Sequence, residues 1–336
     1  MTGAFLVEPG RVELSPYINE KDDKPLVAVQ ACGVCATDRK AFTSPPAGMA
    51  LPRILGHECC GTLISRVGSL LPGTRVALWP ALACGSCPFC RSDRPQLCAD
   101  LQLFGLHRHG AFADTLAVPA HQWDRLRLLP LPAALANEQA VFAEPLGCVL
   151  HALQMATPPP DRVMVYGAGL MGRLAAQAAR HRWPAAEIVV YERNPLRRPA
   201  TAAENGMNMV DRPVTADLIF IACSSGEAVR DALDQLTPGG MLLLFSGLPN
   251  RDKGLTIDHN RLHRKEQIMR GSYGCTPHDM ALALSLMADG HVVVDALISR
   301  VIPLSRVDRE LAAAPVLDHY KTILVPDHLS ADRLPK

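Results

Sequence analysis

The segment ACGSCPFCRSDRPQLCAD places Cys84, Cys87, Cys90 and Cys98 at C-x2-C-x2-C-x7-C spacing. Two-residue gaps let successive thiolates converge on one ion from a tight turn. A fourth thiolate returning from a short loop completes the tetrahedron of sulfurs that zinc accepts in a closed structural site. Four free cysteines and an iron–sulfur ligand set are the competing readings, and zinc is preferred because nothing else in the chain points to electron transfer. Such a site leaves no position for a substrate. Its expected work is to hold a loop that has almost no apolar residues of its own.

A second group has the residue types of a metal centre that does chemistry. Cys35 lies in ACGVCATDRK, His57 and Glu58 lie in LGHECCG, and Glu144 lies in FAEPLG. Thiolate, imidazole and carboxylate together with a water suit a catalytic zinc, which keeps one ligand position exchangeable. Spacing alone does not bring these groups together: by itself His57 reads as an ordinary loop histidine and Cys35 as a buried apolar side chain. Close by, Thr37 offers a hydroxyl that could pass a proton, and Asp38 a carboxylate that could orient a ligand histidine from behind.

A third constellation is GAGLMG, with glycines at Gly167, Gly169 and Gly172 and with Leu170 and Met171 between the last two. The motif ends an apolar strand and opens an Ala-rich helix. There the first glycine permits the turn, the second lets backbone approach a pyrophosphate, and the third allows close helix–sheet contact, while the helix N-terminus offers unpaired N–H groups. Glu192 ends the next strand, where an acidic side chain can accept hydrogen bonds from the adenosine ribose and repel a 2′-phosphate. That favours NAD. Arg193, Arg197 and Arg198 could each neutralise such a phosphate and keep NADP possible.

Elements to carry these residues are legible in the hydrophobic pattern. Short runs such as PLVAVQACGV (25–34), ECCGTLISRVG (58–68) and TRVALWP (74–80) read as strands separated by Gly and Pro turns. A helical period follows over residues 133–155. From residue 161 onward strands alternate with helices, as in a doubly wound parallel sheet, with GGMLLLFSG (239–247) ending it. After about residue 291, VVVDALISRVIPL and KTILVP return to short β-like runs that suit completion of the first domain.

Composition agrees with a two-domain globular enzyme-sized chain: 336 residues, 48% hydrophobic and 20% charged. Its 34 Lys plus Arg against 33 Asp plus Glu leave a formal charge of +1, which supplies no electrostatic reason to bind nucleic acid. No apolar run reaches the roughly 18 residues of a membrane span, and no signal-peptide pattern opens the chain, so the expected location is cytoplasmic. Eleven cysteines in such a chain point to thiol or metal chemistry rather than disulfides.

In their order along the chain, GVCATD at 33–38, GHE at 56–58, the four-cysteine lobe, EP at 144–145 and GAGLMG at 167–172 resemble zinc-containing medium-chain dehydrogenases. The branch they are most similar to is that of the sorbitol, polyol and threonine dehydrogenases. The resemblance implies an α/β chain with a GroES-like, β-rich catalytic domain (1–147 and 285–336) around a Rossmann domain (148–284). It implies two zinc ions. Cys35, His57 and Glu58 would be catalytic ligands, with Glu144 binding that zinc directly or through water, and Cys84, Cys87, Cys90 and Cys98 would form the structural site. Thr37 would begin a proton relay and Glu192 would hold the ribose. The implied reaction moves a hydride between a secondary alcohol of polyol, sugar or cyclitol type and NAD, a 3-hydroxy amino acid or another acidic substrate being the alternative. A homodimer or homotetramer is implied as well. A zinc-free reductase of the same fold and a non-catalytic dinucleotide sensor are competing readings, disfavoured by the presence of both ligand sets.

Four positions depart from the pattern. Lys40 stands where relatives carry a histidine near the nicotinamide ribose, which alters the last step of proton handover and could attract an acidic or phosphorylated substrate. Ala41 replaces a tyrosine of sorbitol dehydrogenase, and Ser272 precedes Tyr273 where that enzyme has an arginine. Two grips on a polyol are thus missing, which argues against sorbitol itself. Ala36 stands where an arginine can serve the pyrophosphate, leaving that work to the helix N-terminus.

Overall fold

A computed structural model describes residues 1–16, 23–197, 208–249, 254–314, 316 and 319–330. The chain divides into two compact units. One comprises Met1–Glu144, Thr276–Ala288 and Val293–Lys336, and the other Pro145–Cys275 with Asp289–Val292.

The first unit is β-rich and GroES-like. Its main sheet runs in the order Leu128–Pro130, Arg75–Leu78, Glu58–Leu63, Asp23–Gly33, Lys321–Val325, Ile298–Pro303, with Thr115–Pro119 also paired to Asp23–Gly33. The C-terminal runs do return here: Lys321–Val325 pairs antiparallel with the long central strand, Ile323 facing Gly33 and Leu324 facing Cys32. All five residues of Lys321–Val325 are buried. Leu6, Leu26, Ile54, Phe104, Phe112, Leu116 and Val118 lie in the core beneath these strands. Helix Pro277–Ala288 belongs to this unit, lying against Leu128–Pro130.

The second unit is a Rossmann-type parallel sheet of six strands in the order Asn208–Val210, Glu187–Tyr191, Arg162–Tyr166, Ala216–Ile221, Leu236–Leu244, Ile268–Gly271. Numbered within the unit this is 3-2-1-4-5-6, so the order reverses at the first strand, and the crevice beyond its carboxyl end is where such sheets bind ligands. The central strands read as nearly continuous apolar runs because both faces are covered: RVMVY is buried from its second residue on and ADLIFI at all but one position.

Two expectations about elements are corrected. The run GGMLLLFSG does not end the sheet, since Ile268–Gly271 pairs parallel to it, Met241 with Ile268 through Leu244 with Gly271. That outer strand is four residues of mixed exposure, too short for its hydrophobic pattern to register, and its backbone pairing alone defines it. The helical period over 133–155 is two helices, Asn137–Ala140 and Ala143–Gln154, broken at residues 141–142. Among the described residues no helix is long and apolar enough to cross a membrane.

Candidate functional site

Cys35 occupies the N-cap of helix Ala36–Thr43, directly after the central strand of the first unit. Its position is held by Asp38, whose carboxylate accepts the Cys35 backbone N–H at 2.8 Å and the Gly56 N–H at 3.1 Å. Gly56 adopts φ +91°, and a Cβ there would lie 2.4 Å from the Phe112 ring, so the turn before His57 requires glycine. Asp38, only 1% exposed, also lies 3.4 Å from His57 Nδ1. An imidazole held through Nδ1 leaves Nε2 to bind a metal.

Glu58 opens the strand that pairs antiparallel with Asp23–Gly33, in register opposite Gly33. A Cβ on Gly33 would fall 2.1 Å from Glu58 Oε2, so any side chain there would displace the carboxylate. Register, turn and cap together bring donor atoms of Cys35, His57 and Glu58 within 4.8 Å of one another.

Sequence reasoning missed a fourth member. Lys321 is 2% exposed, and its ammonium donates to both Glu58 oxygens, at 2.5 and 2.8 Å, and to the Val34 carbonyl at 3.4 Å. The available signal was a lone lysine opening the otherwise apolar run KTILVP, since a buried ammonium needs a partner. Burial opposes its charge, but Glu58, then Cys35, outweigh burial and raise the Lys321 pKa. Burial likewise opposes a proton on His57, yet Asp38 and Cys35 hold its pKa well above the usual value. The neighbouring thiols behave oppositely: burial pushes Cys59 up to about 12, and burial together with Cys59 and Asp38 raises Cys32. Burial favours the neutral thiol in both, which makes them poorer ligands. Thr37 and Lys40 are exposed on the helix that Cys35 caps. Glu144 lies outside the three-donor cluster, although its charge acts on Lys321. The donor set of one sulfur, one nitrogen and one carboxylate fits a zinc ion with an open position.

The four cysteines of the lobe also bring their sulfurs within 4.8 Å. Backbone N–H groups aim at sulfur throughout: Cys87 N–H to Cys84 at 3.3 Å, Cys90 N–H to Cys87 at 3.4 Å, Cys84 N–H to Cys98 at 3.4 Å. The N–H groups of Ser86 and Cys87 lower the Cys84 thiol to about 6. Donors placed to stabilise thiolates, with no disulfide among them, fit a closed zinc site.

In the second unit, Gly167 follows the strand Arg162–Tyr166 at φ +102°, and Gly169 caps helix Leu170–Arg182. A Cβ on Gly172 would sit 1.8 Å from the Gly167 carbonyl, whereas one on Gly169 would meet nothing within 4 Å. The third glycine therefore serves packing, and the second leaves space on the ligand side, as a pyrophosphate requires. Leu170 and Met171, both half-buried, form the first turn of the helix. Glu192 is buried and ties the next strand to the loop, accepting the Ala168 N–H and the Asn194 N–H, each at 2.9 Å. A carboxylate has lone pairs left for ribose hydroxyls. Arg173, 1% exposed, was not anticipated; its Nε donates to the Ala168 carbonyl at 3.2 Å, bracing the same loop. Arg193 is exposed and pairs with Glu227 at 3.1 Å. Arg198 lies outside the described residues, as does the side chain of Arg197.

Fold and donor sets together define a class. The family model for the alcohol dehydrogenase GroES-like domain matches residues 21–132. Residues 21–132 thus match that domain family, and the chain is similar along its length to zinc-type medium-chain dehydrogenases/reductases. Among its relatives, L-galactonate-5-dehydrogenase of Escherichia coli K12 is 29% identical over 300 residues, covering 84% of this chain and 85% of that protein. D-altritol 5-dehydrogenase of Agrobacterium fabrum is 28% identical over 316 residues, covering 89% and 91%. A crystal structure described as a zinc-binding dehydrogenase from Sinorhizobium meliloti 1021, bound to NADP, superposes with a TM-score of 0.85 at 27% identity, covering 97% of this chain and 99% of that one.

Proposed function

We propose that the protein is a zinc-dependent dehydrogenase that moves a hydride between a secondary alcohol of a polyol or sugar acid and NAD. The observation that carries this reading is the convergence of Cys35 with His57 and Glu58, from two separate chain segments, to within 4.8 Å. When bound, zinc would supply Lewis acidity to the alcohol oxygen and NAD the hydride acceptor.

The chain's own residues then have distinct tasks. Cys35 and the Nε2 of His57 hold the metal, while Asp38 fixes the His57 ring through Nδ1. Glu58 faces the metal with its charge balanced by Lys321, and Glu144 adds a carboxylate nearby. The Thr37 hydroxyl receives the proton leaving the substrate oxygen, and Lys40, exposed on the same helix, offers a cation to a substrate carboxylate or to the outgoing proton path. The glycine loop and the N-terminus of Leu170–Arg182 take the pyrophosphate, and Glu192 the ribose diol, which supports NAD over NADP. Oxidation at carbon 5 of a hexitol or hexonate is supported by the names of the galactonate and altritol relatives.

The test is reduction of NAD+ and, separately, NADP+ by the zinc-replete protein across polyols, cyclitols, hexonates and 3-hydroxy amino acids. Turnover with a polyol or hexonate that disappears in Cys35→Ser supports the reading, and turnover surviving that substitution sinks it. Lys40→Met is expected to raise KM on the order of tenfold for hexonates, the loss of about 1.4 kcal/mol, and to leave hexitols unchanged. Equal losses on both would remove Lys40 from anion recognition.

A further inference from the structure

We propose that Glu310 is a positioning residue for the metal centre, clamping from behind the two elements that orient its ligands; this rests on the reading of Cys35, His57 and Glu58 as a metal site. Glu310 lies on helix Val307–Ala312 and is 5% exposed. Its Oε1 accepts from Arg39 Nη2 at 2.5 Å and from the Thr322 hydroxyl at 2.6 Å, and Arg300 approaches Oε2 at 3.4 Å. Arg39 also donates to the backbone carbonyls of Glu310, at 2.5 Å, and Ala313, at 3.2 Å. His319 Nε2 lies 2.5 Å from the Thr322 oxygen, and since that hydroxyl donates to Glu310, His319 donates to it.

The partners of this carboxylate are the immediate neighbours of the residues that orient the ligands. Arg39 follows Asp38, which holds Cys35 and His57. Thr322 follows Lys321, which holds Glu58. Successive residues point about 100° apart on a helix and to opposite faces on a strand. Asp38 and Lys321 can therefore face the donor atoms while Arg39 and Thr322 face Glu310. The backbone leading into that helix is tied to the same strand, the Val34 N–H donating to the Thr322 carbonyl at 2.9 Å. A buried carboxylate with two arginines adds little net stability over an apolar filling of the same volume, so its value lies in specifying a register. Here the register is that of helix Ala36–Thr43 against strand Lys321–Val325.

Zinc release from the whole protein to a chromogenic chelator reads this directly. The wild type should show two phases, of which Cys35→Ser removes one. In Glu310→Ala that phase should accelerate about 10-fold, the lower end of the range for losing a group bonded directly to a ligand, since Glu310 acts one residue further out. The four-cysteine phase and dinucleotide binding should not change. Glu310→Gln, which keeps an acceptor for Arg39 and Thr322, should lie nearer the wild type. Cobalt(II) at the Cys35 site, read as the absorption difference from Cys35→Ser, should shift in Glu310→Ala and be restored in Glu310→Gln. Should Glu310→Ala fail to fold, Thr322→Val removes one donor and carries the same readouts. Unchanged release and cobalt spectra in the folded variants, or equal acceleration of both phases, would overturn the role of Glu310. A single zinc phase in the wild type would instead overturn the metal reading, and this proposal with it.

Discussion

Lys321 and Glu58 form the most consequential pair in the candidate site, because both are buried and neither has water to fall back on. Removing one partner of a buried pair strands the other charge, at about 3–5 kcal/mol. Lys321→Met is therefore expected to lower the stability of the zinc-free protein by about that much in urea unfolding. Saturating zinc should restore part of the loss, since a cation beside Glu58 replaces the ammonium. The double variant Lys321→Met with Glu58→Gln should be more stable than Lys321→Met alone. If zinc restores nothing, the carboxylate does not face the metal. His57 shows how much of a residue's role is conferred by neighbours: a histidine that reads as unremarkable in LGHECCG becomes a ligand candidate once Asp38 holds its Nδ1.

At the scale of elements, the glycine loop separates two duties that GAGLMG alone runs together. A methyl group on Gly172 would collide with the Gly167 carbonyl at 1.8 Å, so Gly172→Ala is expected to cost about 1–3 kcal/mol of stability. Gly169 has open space around its Cβ position, so Gly169→Ala should cost less stability than Gly172→Ala while weakening NAD binding on the order of tenfold. Calorimetric unfolding and NAD titration of the two variants check the contrast, and equal stability losses would contradict it. The strand Ile268–Gly271 shows why part of the sheet escaped notice. Four residues of mixed exposure carry no readable period, and only pairing with Leu236–Leu244 makes them a strand.

At the scale of the whole molecule, two zinc ions per chain are expected by atomic emission, falling to one in Cys35→Ser. Cys98→Ser should lose the other ion and expose residues 84–98 to proteolysis, because the lobe's helices are three and four residues long and bury little. One zinc in the wild type would remove one of the two sites. The four-cysteine site and the glycine loop were legible in the sequence alone, because their residues lie within one turn-rich loop or one strand–helix junction, where local geometry determines what can meet. The alternation of strands and helices likewise announced the parallel sheet, as burial on both faces writes itself into apolar runs. The candidate catalytic centre is of another kind. Cys35, His57 and Glu58 meet because the strands Asp23–Gly33 and Glu58–Leu63 pair with Gly33 opposite Glu58, and Lys321 joins them from 263 residues away because Lys321–Val325 lies against Asp23–Gly33. Residue types stated what such a centre would need. Which residues fill it was decided by backbone register across a closed core, since hydrogen bonding and two-sided burial, unlike local spacing, act between segments that the chain keeps far apart.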